Sequence, residues 1–266
     1  MDIIVCIKQV LDPDIPPRDF KVDEDAKRVV PPPNVPPVVN NFDEYAIEEA
    51  IQIKEAHGGK VTVLTVGEPA AMDSLKKALA MGCDEAVLIH DSAFEGSDAF
   101  GSARVLAAAV GKLGQFDLIL CGRISSDWST GSTALALAEA LGLPSASQLQ
   151  KVEPLDRSVR CERVVEDGVE VVEVPLPCLV TVSNEINEPR LPSVRGILTA
   201  SRKKVPIWSA ADLELDPEGV GAGAAALELL RLYKPVHESK CLILGGETLE
   251  EAAEKLALKL REDKII

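Results

Sequence analysis

The residues best placed to do chemistry lie in one stretch, Gly122-Arg123-Ile124-Ser125-Ser126-Asp127-Trp128-Ser129-Thr130-Gly131-Ser132-Thr133. It follows an apolar run (DLILC, 117–121) and precedes an apolar helical pattern. Free backbone N–H groups at a helix start, with no side chain at the glycine, can cradle a phosphate. Ser129, Thr130 and Ser132 add hydroxyl donors. An ordinary N-capped loop has the same composition, so the residues alone leave both readings open. Asn40, at another expected helix start, and Cys6, at the end of the first apolar run, can complete a nucleotide cleft. Cys6 by itself is equally well a small packed apolar group.

The second feature is Asn187-Glu188-Pro189-Arg190 and the stretch after it. Five cations (Arg190, Arg195, Arg202, Lys203 and Lys204) and no acid fall between 190 and 204. Apolar Leu191, Val194, Ile197 and Leu198 are interleaved with them. Charge runs usually form solvated faces, whereas a mixed apolar and cationic loop beyond a sheet edge suits docking to an acidic partner.

Other chemistry is missing from the pattern. No G-x-x-x-x-G-K-[ST], G-x-S-x-G or H-E-x-x-H occurs, and no Cys/His set has metal-ligand spacing. The three histidines, His57, His90 and His237, are isolated, and His57 suits a helix C-terminus. Gly221-Ala222-Gly223-Ala224-Ala225-Ala226 fits G-x-G-x-x-[GA] but follows Asp216-Pro217-Glu218 instead of a strand, so a linker or weak helix is expected.

These segments need a scaffold, and the first two-thirds of the chain supplies one. Apolar runs at 3–10, 60–67, 86–90 and 117–121 alternate with helical patterns. The first helix starts at Asn40 or Asn41, carries Asp43 and Glu44 in its first turn, and buries Ala46, Ile47, Ala50, Ile51 and Ile53. A second opens at Pro69, with Leu75, Ala78 and Leu79 inward. A third, 97–113, has Phe100, Ala103, Ala107 and Val110 on one side. A fourth, 130–141, is apolar nearly all round and is expected to be buried. Repeated strand–helix units imply a doubly wound, mostly parallel α/β sheet of flavodoxin-like architecture. Eight prolines between Pro13 and Pro37 mark a stiff loop insert, with a small hairpin across Asp23–Asp25. A β-hairpin turning at Glu166-Asp167-Gly168 is added to the sheet. Cys178–Val182 is a further buried strand. Thr248 and Glu251 form the capping box of a C-terminal amphipathic helix. The expected division is a nucleotide-binding α/β domain over 1–216, containing the loop 187–204, and a C-terminal arm and helix over 217–266.

Composition bounds the function. The 266 residues carry a net charge of −15, which argues against nucleic acid or anionic lipid as a partner. No apolar run approaches the ~18 residues of a membrane helix. Six scattered cysteines in mostly apolar surroundings, and no leader at Met1–Val5, point to a reduced, cytoplasmic setting without membrane insertion.

Four stretches resemble the beta (small) subunit of electron-transfer flavoproteins: IIVCIKQV (3–10), NNFDEYAIEEAIQIKE (40–55), ALAMGCDEAVLI (78–89), and RVVEDGVEVVEVPLPCLVTV (163–182) leading into NEPR (187–190). The resemblance covers about the whole chain. It implies a heterodimer in which an alpha subunit holds the redox-active FAD and this subunit holds AMP, or a second FAD in electron-bifurcating members that accept hydride from NADH. It implies electron shuttling from acyl-CoA dehydrogenases to a quinone reductase or other acceptor, a carrier with no catalytic or metal-binding residue of its own. Nucleotide contacts carry over to Cys6, to Asn40, Asn41, Phe42 and Asp43, to Val66, and to Gly122, Arg123, Asp127, Ser129, Thr130, Gly131, Ser132 and Thr133. The dehydrogenase-docking loop carries over to Arg190–Lys204 with Val194 as its aliphatic anchor. The loop before Thr130-Gly131 is shorter than the family's and reads S-T-G-S, where AMP-binding members have Q-T-G-Q and many bifurcating ones V-G-P. A lone nucleotide-binding regulatory protein of similar fold is the alternative of another class.

Overall fold

The computed structural model describes residues 1–235 and 241–266, so His237 lies outside the described residues. Two compact units are present: Met1–Lys21 with Val29–Leu230, and Val22–Arg28 with Arg231–Ile266.

In chain order the first half holds β1 (Ile3–Cys6), β2 (Gln9–Val10), β3 (Lys21–Asp23), β4 (Arg28–Val30), β5 (Val38–Val39), α1 (Asn41–His57), β6 (Val61–Val66), α2 (Met72–Met81), β7 (Glu85–Ile89), α3 (Ala99–Leu113), β8 (Leu118–Gly122) and α4 (Ser132–Leu141). The second half holds β9 (Ser145–Pro154), β10 (Ser158–Val165), β11 (Gly168–Pro175), β12 (Cys178–Val182), α5 (Val194–Arg202), β13 (Ile207–Trp208) and α6 (Leu249–Glu262).

A nine-stranded sheet runs β11-β10-β9-β12-β8-β1-β6-β7-β13. All neighbours from β9 to β13 in that order are parallel, and β10 is antiparallel to both β9 and β11. The doubly wound α/β fold with an added hairpin is therefore present, and the hairpin turns where Glu166-Asp167-Gly168 placed it. The central strands β1, β8 and β12 are buried and almost wholly apolar because helices cover both faces, the exception being Thr181, whose hydroxyl accepts from Gln148 N–H at 3.1 Å. Ile47 and Ile51 of α1 and Leu75 and Leu79 of α2 pack on one face. Val105, Leu106 and Val110 of α3 and Leu137 of α4 pack on the other. The chain builds β6 and β7 on one side of β1 and then crosses to lay β8 on the other. The carboxyl ends of β1 and β8 thus border the strand-order reversal where open α/β sheets bind ligands.

Three expectations need correction. The buried side of α3 is Ala103, Val105, Leu106, Ala109 and Val110, while Phe100 in its first turn is exposed. The larger side chains of Val105 and Leu106 define the inward face. Next, α4 is not buried all round: it packs on α3 and β12 through Ala134, Leu137 and Ala138, and Leu135 is 43% exposed. Lastly, residues 194–202 form a helix and not a loop, capped by Ser193, whose Oγ accepts from Gly196 N–H at 3.0 Å.

In the small unit, the turn expected across 23–25 is made by Asp23 Oδ1 accepting from Ala26 N–H at 2.9 Å. Half of the expected capping box of α6 is present, Thr248 Oγ1 accepting from Glu251 N–H at 3.2 Å, while Glu251 Oε2 reaches past the cap to accept from Glu247 N–H at 2.8 Å. Among the described residues no helix is long and apolar enough to cross a membrane.

One-sided burial of α4 has a direct test. Leu137→Ala should cost about 2–5 kcal/mol of unfolding free energy in chemical denaturation, and Leu135→Ala less than about 1 kcal/mol.

Candidate functional site

The carboxyl ends of β1, β6 and β8 place Cys6, Val66 and Gly122 along one sheet edge. Two polar side chains at the start of α1 then fasten three distant segments there. Asp43 is buried; its Oδ2 accepts from Lys8 N–H at 2.7 Å and its Oδ1 from Gly122 N–H at 3.2 Å. Asn40 occupies the N-cap position but makes no side-chain cap bond. Its Nδ2 donates instead to Ile124 O at 2.9 Å, and its Oδ1 accepts from Ser126 N–H at 3.0 Å. Only glycine fits at 122, because a β-carbon there would lie 2.4 Å from Asp43 Oδ1 and 2.7 Å from Phe42.

Beyond this seam the chain rises into the hydroxyl-rich loop. Ser129 and Gly131 both take left-handed φ, 52° and 63°. Ser129 N–H and Oγ both donate to Ser125 O, at 2.9 and 3.2 Å, which folds the turn on itself. Ser132 Oγ donates to Thr130 O at 3.3 Å. The backbone N–H groups of Thr130, Gly131, Ser132 and Thr133 reach no acceptor among the described residues, as the first turn of a helix requires. They sit at the positive end of the α4 dipole.

The charges around the loop favour an anion. Asp127, the one carboxylate in the loop, is neutralised by Lys8 Nζ at 2.6 Å. The Arg123 guanidinium lies over the Phe42 ring at 4.9 Å, and its buried Nε has no acceptor among the described residues. Unspent N–H groups at the head of a helix fit the phosphate end of a nucleotide, while Gly131 is set by its left-handed φ and by Arg123 O, 3.1 Å from where a β-carbon would lie. Asn41 and Trp128 stand exposed at the rim, the indole 54% so.

The neighbouring groups hold shape and are poor reactants. Burial drives the Asp43 carboxyl up to about 7, although hydrogen bonds from Lys8, Asn40 and Gly122 oppose it. The adjacent Cys6 thiol, together with burial, holds the Cys121 thiol well above its ordinary value. At the opposite, amino-terminal edge of the sheet, burial pushes the Cys83 and Cys178 thiols up to about 12. Lys8 was not among the sequence candidates; a cation directly after the first strand was its only signal.

The second set of residues is separate from this edge. Leu191, Val194, Arg195, Ile197, Leu198, Arg202 and Lys204 are exposed on or beside α5, with Val194 76% exposed. Arg190 and Lys203 do not join them. They turn inward, toward α1 and toward the end of α2.

Comparison with known proteins gives one family. The model of the electron transfer flavoprotein domain matches residues 34–213. Electron transfer flavoprotein subunit beta of Thermoanaerobacterium thermosaccharolyticum is 38% identical over 267 residues, covering 100% of both chains. The caffeyl-CoA reductase-Etf complex subunit CarD of Acetobacterium woodii is 36% identical over 267 residues, again covering 100% of both. Electron transfer flavoprotein subunit beta of Bacillus subtilis is 40% identical over 230 residues, 86% of this chain and 88% of its own.

Asp43 makes the edge pH-sensitive. Its pKa rises from 3.8 to about 7 on folding, so the folded protein keeps a proton that the unfolded chain has lost. Its contribution is intact below pH 3.8 and is lost as pH climbs toward about 7. Apart from a constant offset, Asp43→Asn should gain on the wild type over that window by on the order of 4 kcal/mol, read from denaturation curves at a series of pH values.

Proposed function

The chain belongs to the electron transfer flavoprotein family and corresponds to its beta subunit, and from that premise we propose that it holds an AMP at the edge formed by Cys6, Asn40–Asp43, Val66 and residues 122–133. The observation that carries this reading is the left-handed Gly131 at the head of α4, with unspent N–H groups on either side. The phosphate would rest on the N–H groups of 130–133, with the Thr130 hydroxyl in reach and those of Ser129 and Ser132 joining it by turning from Ser125 O and Thr130 O. The AMP contributes no electron chemistry; it fills and stiffens the crevice. The redox-active FAD belongs to the alpha subunit of the heterodimer, on which residues 217–266 pack as an arm and helix.

On this reading the protein is a cytoplasmic carrier that turns over no substrate of its own. It takes electrons from an acyl-CoA dehydrogenase and passes them to a quinone reductase or another acceptor. The exposed face of α5, with Val194 as anchor and Arg195, Arg202 and Lys204 around it, meets the dehydrogenase. Four exposed apolar side chains on and beside one short helix support a protein partner. They have no role in the third reading, a free-standing nucleotide-binding regulator.

Full-length similarity to a subunit named for a caffeyl-CoA reductase complex supports a second reading. In it the same edge holds a second FAD, accepts hydride from NADH, and serves a bifurcating complex. The threonine of S-T-G-S favours the AMP reading by keeping a hydroxyl at the phosphate, while the missing glutamines of Q-T-G-Q and the shortened loop are what leave room for a different ligand.

Denaturing the purified heterodimer and chromatographing the released nucleotides separates the readings. One FAD and one AMP per heterodimer is expected; two FAD would replace the carrier by the bifurcating form. In the same assay Gly131→Ala should weaken nucleotide retention roughly tenfold while the alpha-bound FAD stays, because an L residue in left-handed backbone costs about 1–2 kcal/mol. Its β-carbon would also come within 3.1 Å of Arg123 O.

A further inference from the structure

Helix α5 is turned inside out. Its inward positions are small, Gly196 and the buried Ala200, while Val194, Ile197 and Leu198 face away from the fold. A β-carbon at Gly196 would lie 2.3 Å from Ala80 O, so the backbone of α5 rests directly on the end of α2. So little apolar surface on the inward side gives weak hydrophobic attachment, and both ends of the segment are instead held by charge.

At the leading end the Arg190 fork spans two carboxylates of α1. Its Nε and Nη2 donate to Glu48 at 2.8 and 3.0 Å, and its Nη1 and Nη2 to Glu55 at 2.6 and 3.0 Å. Arg190 N–H adds a bond to Glu48 Oε2 at 3.2 Å. Asn187 Nδ2 donates to Tyr45 O and to Glu49, each at 3.1 Å. Burial raises the Glu48 carboxyl, but the bonds and charge of Arg190, with Gln52, bring it below its ordinary value. At the trailing end Lys203 Nζ donates to Asp84 O at 2.6 Å and Cys83 O at 3.3 Å. Lys76 Nζ crosses from α2 to Ala200 O at 2.8 Å and to Lys203 O, satisfying carbonyls at the negative end of α5.

We propose that residues 187–204 form a docking helix whose orientation is fixed before any partner arrives, with Arg190 and Lys203 as positioning residues and Leu191, Val194, Ile197 and Leu198 as the contact face. This rests on the docking reading above and names what keeps the face in place. The partner surface it fits is an apolar pocket rimmed by carboxylates, since Arg195, Arg202 and Lys204 are the cations left outward. Fixing the helix beforehand removes an ordering cost from association. Arg190 and Lys203 act through α5.

The test uses the assembled, flavin-loaded heterodimer with Glu48→Gln, Arg190→Ala and Lys203→Met. The Glu48 side chain is 4% exposed and cannot meet a docking protein, so any effect of Glu48→Gln on docking passes through position. Glu48→Gln also preserves shape should Arg190→Ala fail to assemble. Without partner, deuterium uptake by amides 191–204 should rise roughly tenfold in each variant and stay unchanged in β6 and β8. With a purified acyl-CoA dehydrogenase as donor, KM for the dehydrogenase should rise roughly 5- to 20-fold at unchanged kcat and nucleotide content. The salt dependence of the rate should also stay unchanged, whereas Arg195→Gln should flatten it. Unaltered uptake and KM in Glu48→Gln, or an Arg190→Ala that flattens the salt dependence, would overturn the positioning role. Faster uptake with KM unmoved in all variants, Val194→Asp included, would overturn the docking reading itself.

Discussion

Two short polar side chains at the head of α1 hold the functional edge together. Asp43 and Asn40 are buried, and between them they bind Lys8 and Gly122 and the loop at Ile124 and Ser126. Burying such groups is unfavourable unless each oxygen and amide finds a partner. Here the partners are backbone groups just after β1, at the end of β8 and in the loop beyond it, so satisfying them brings the strand ends and the loop into register. Gly122 follows from the same constraint, since any side chain there would displace Asp43. The turn at Ser129–Gly131 then starts from a fixed base.

Helix α1 serves both functional regions. Its first turn carries the seam beside the candidate nucleotide edge, and Glu48 and Glu55 farther along it hold the Arg190 fork. On the proposed function, the face of α5 would meet a partner independently of a nucleotide at the sheet edge. The two regions share a helix but no residue, which gives a stiff connection between them without mutual interference.

Much of this was legible in the residues. Strands β1, β6, β7 and β8 follow continuous apolar runs, the hairpin follows Glu166-Asp167-Gly168, and the stripe of α1 follows Ala46, Ile47, Ala50, Ile51 and Ile53. What was not legible depends on distance or on reversed pattern. Asn40 looks like a local cap, yet its side chain is spent on residues far along the chain. Helix α5 puts small residues inward and large apolar ones outward, so a periodicity reading finds no buried stripe and leaves a loop. Arg190 looks like one more exposed cation until Glu48 and Glu55 are brought beside it, and only the folded α1 does that. Phe100 and Leu135 mislead for a related reason: apolar residues are common on surfaces, so type alone does not mark an inward face.

The central claim is that an anionic phosphate rests on main-chain amides where the turn at 129–133 enters α4. A density map of the assembled heterodimer tests it most directly. Phosphate oxygens within about 2.7–3.2 Å of two or more of the N–H groups of residues 130–133 are expected. A map with that crevice filled by side chains alone, or with the phosphate of a bound nucleotide lying away from these amides, would contradict it.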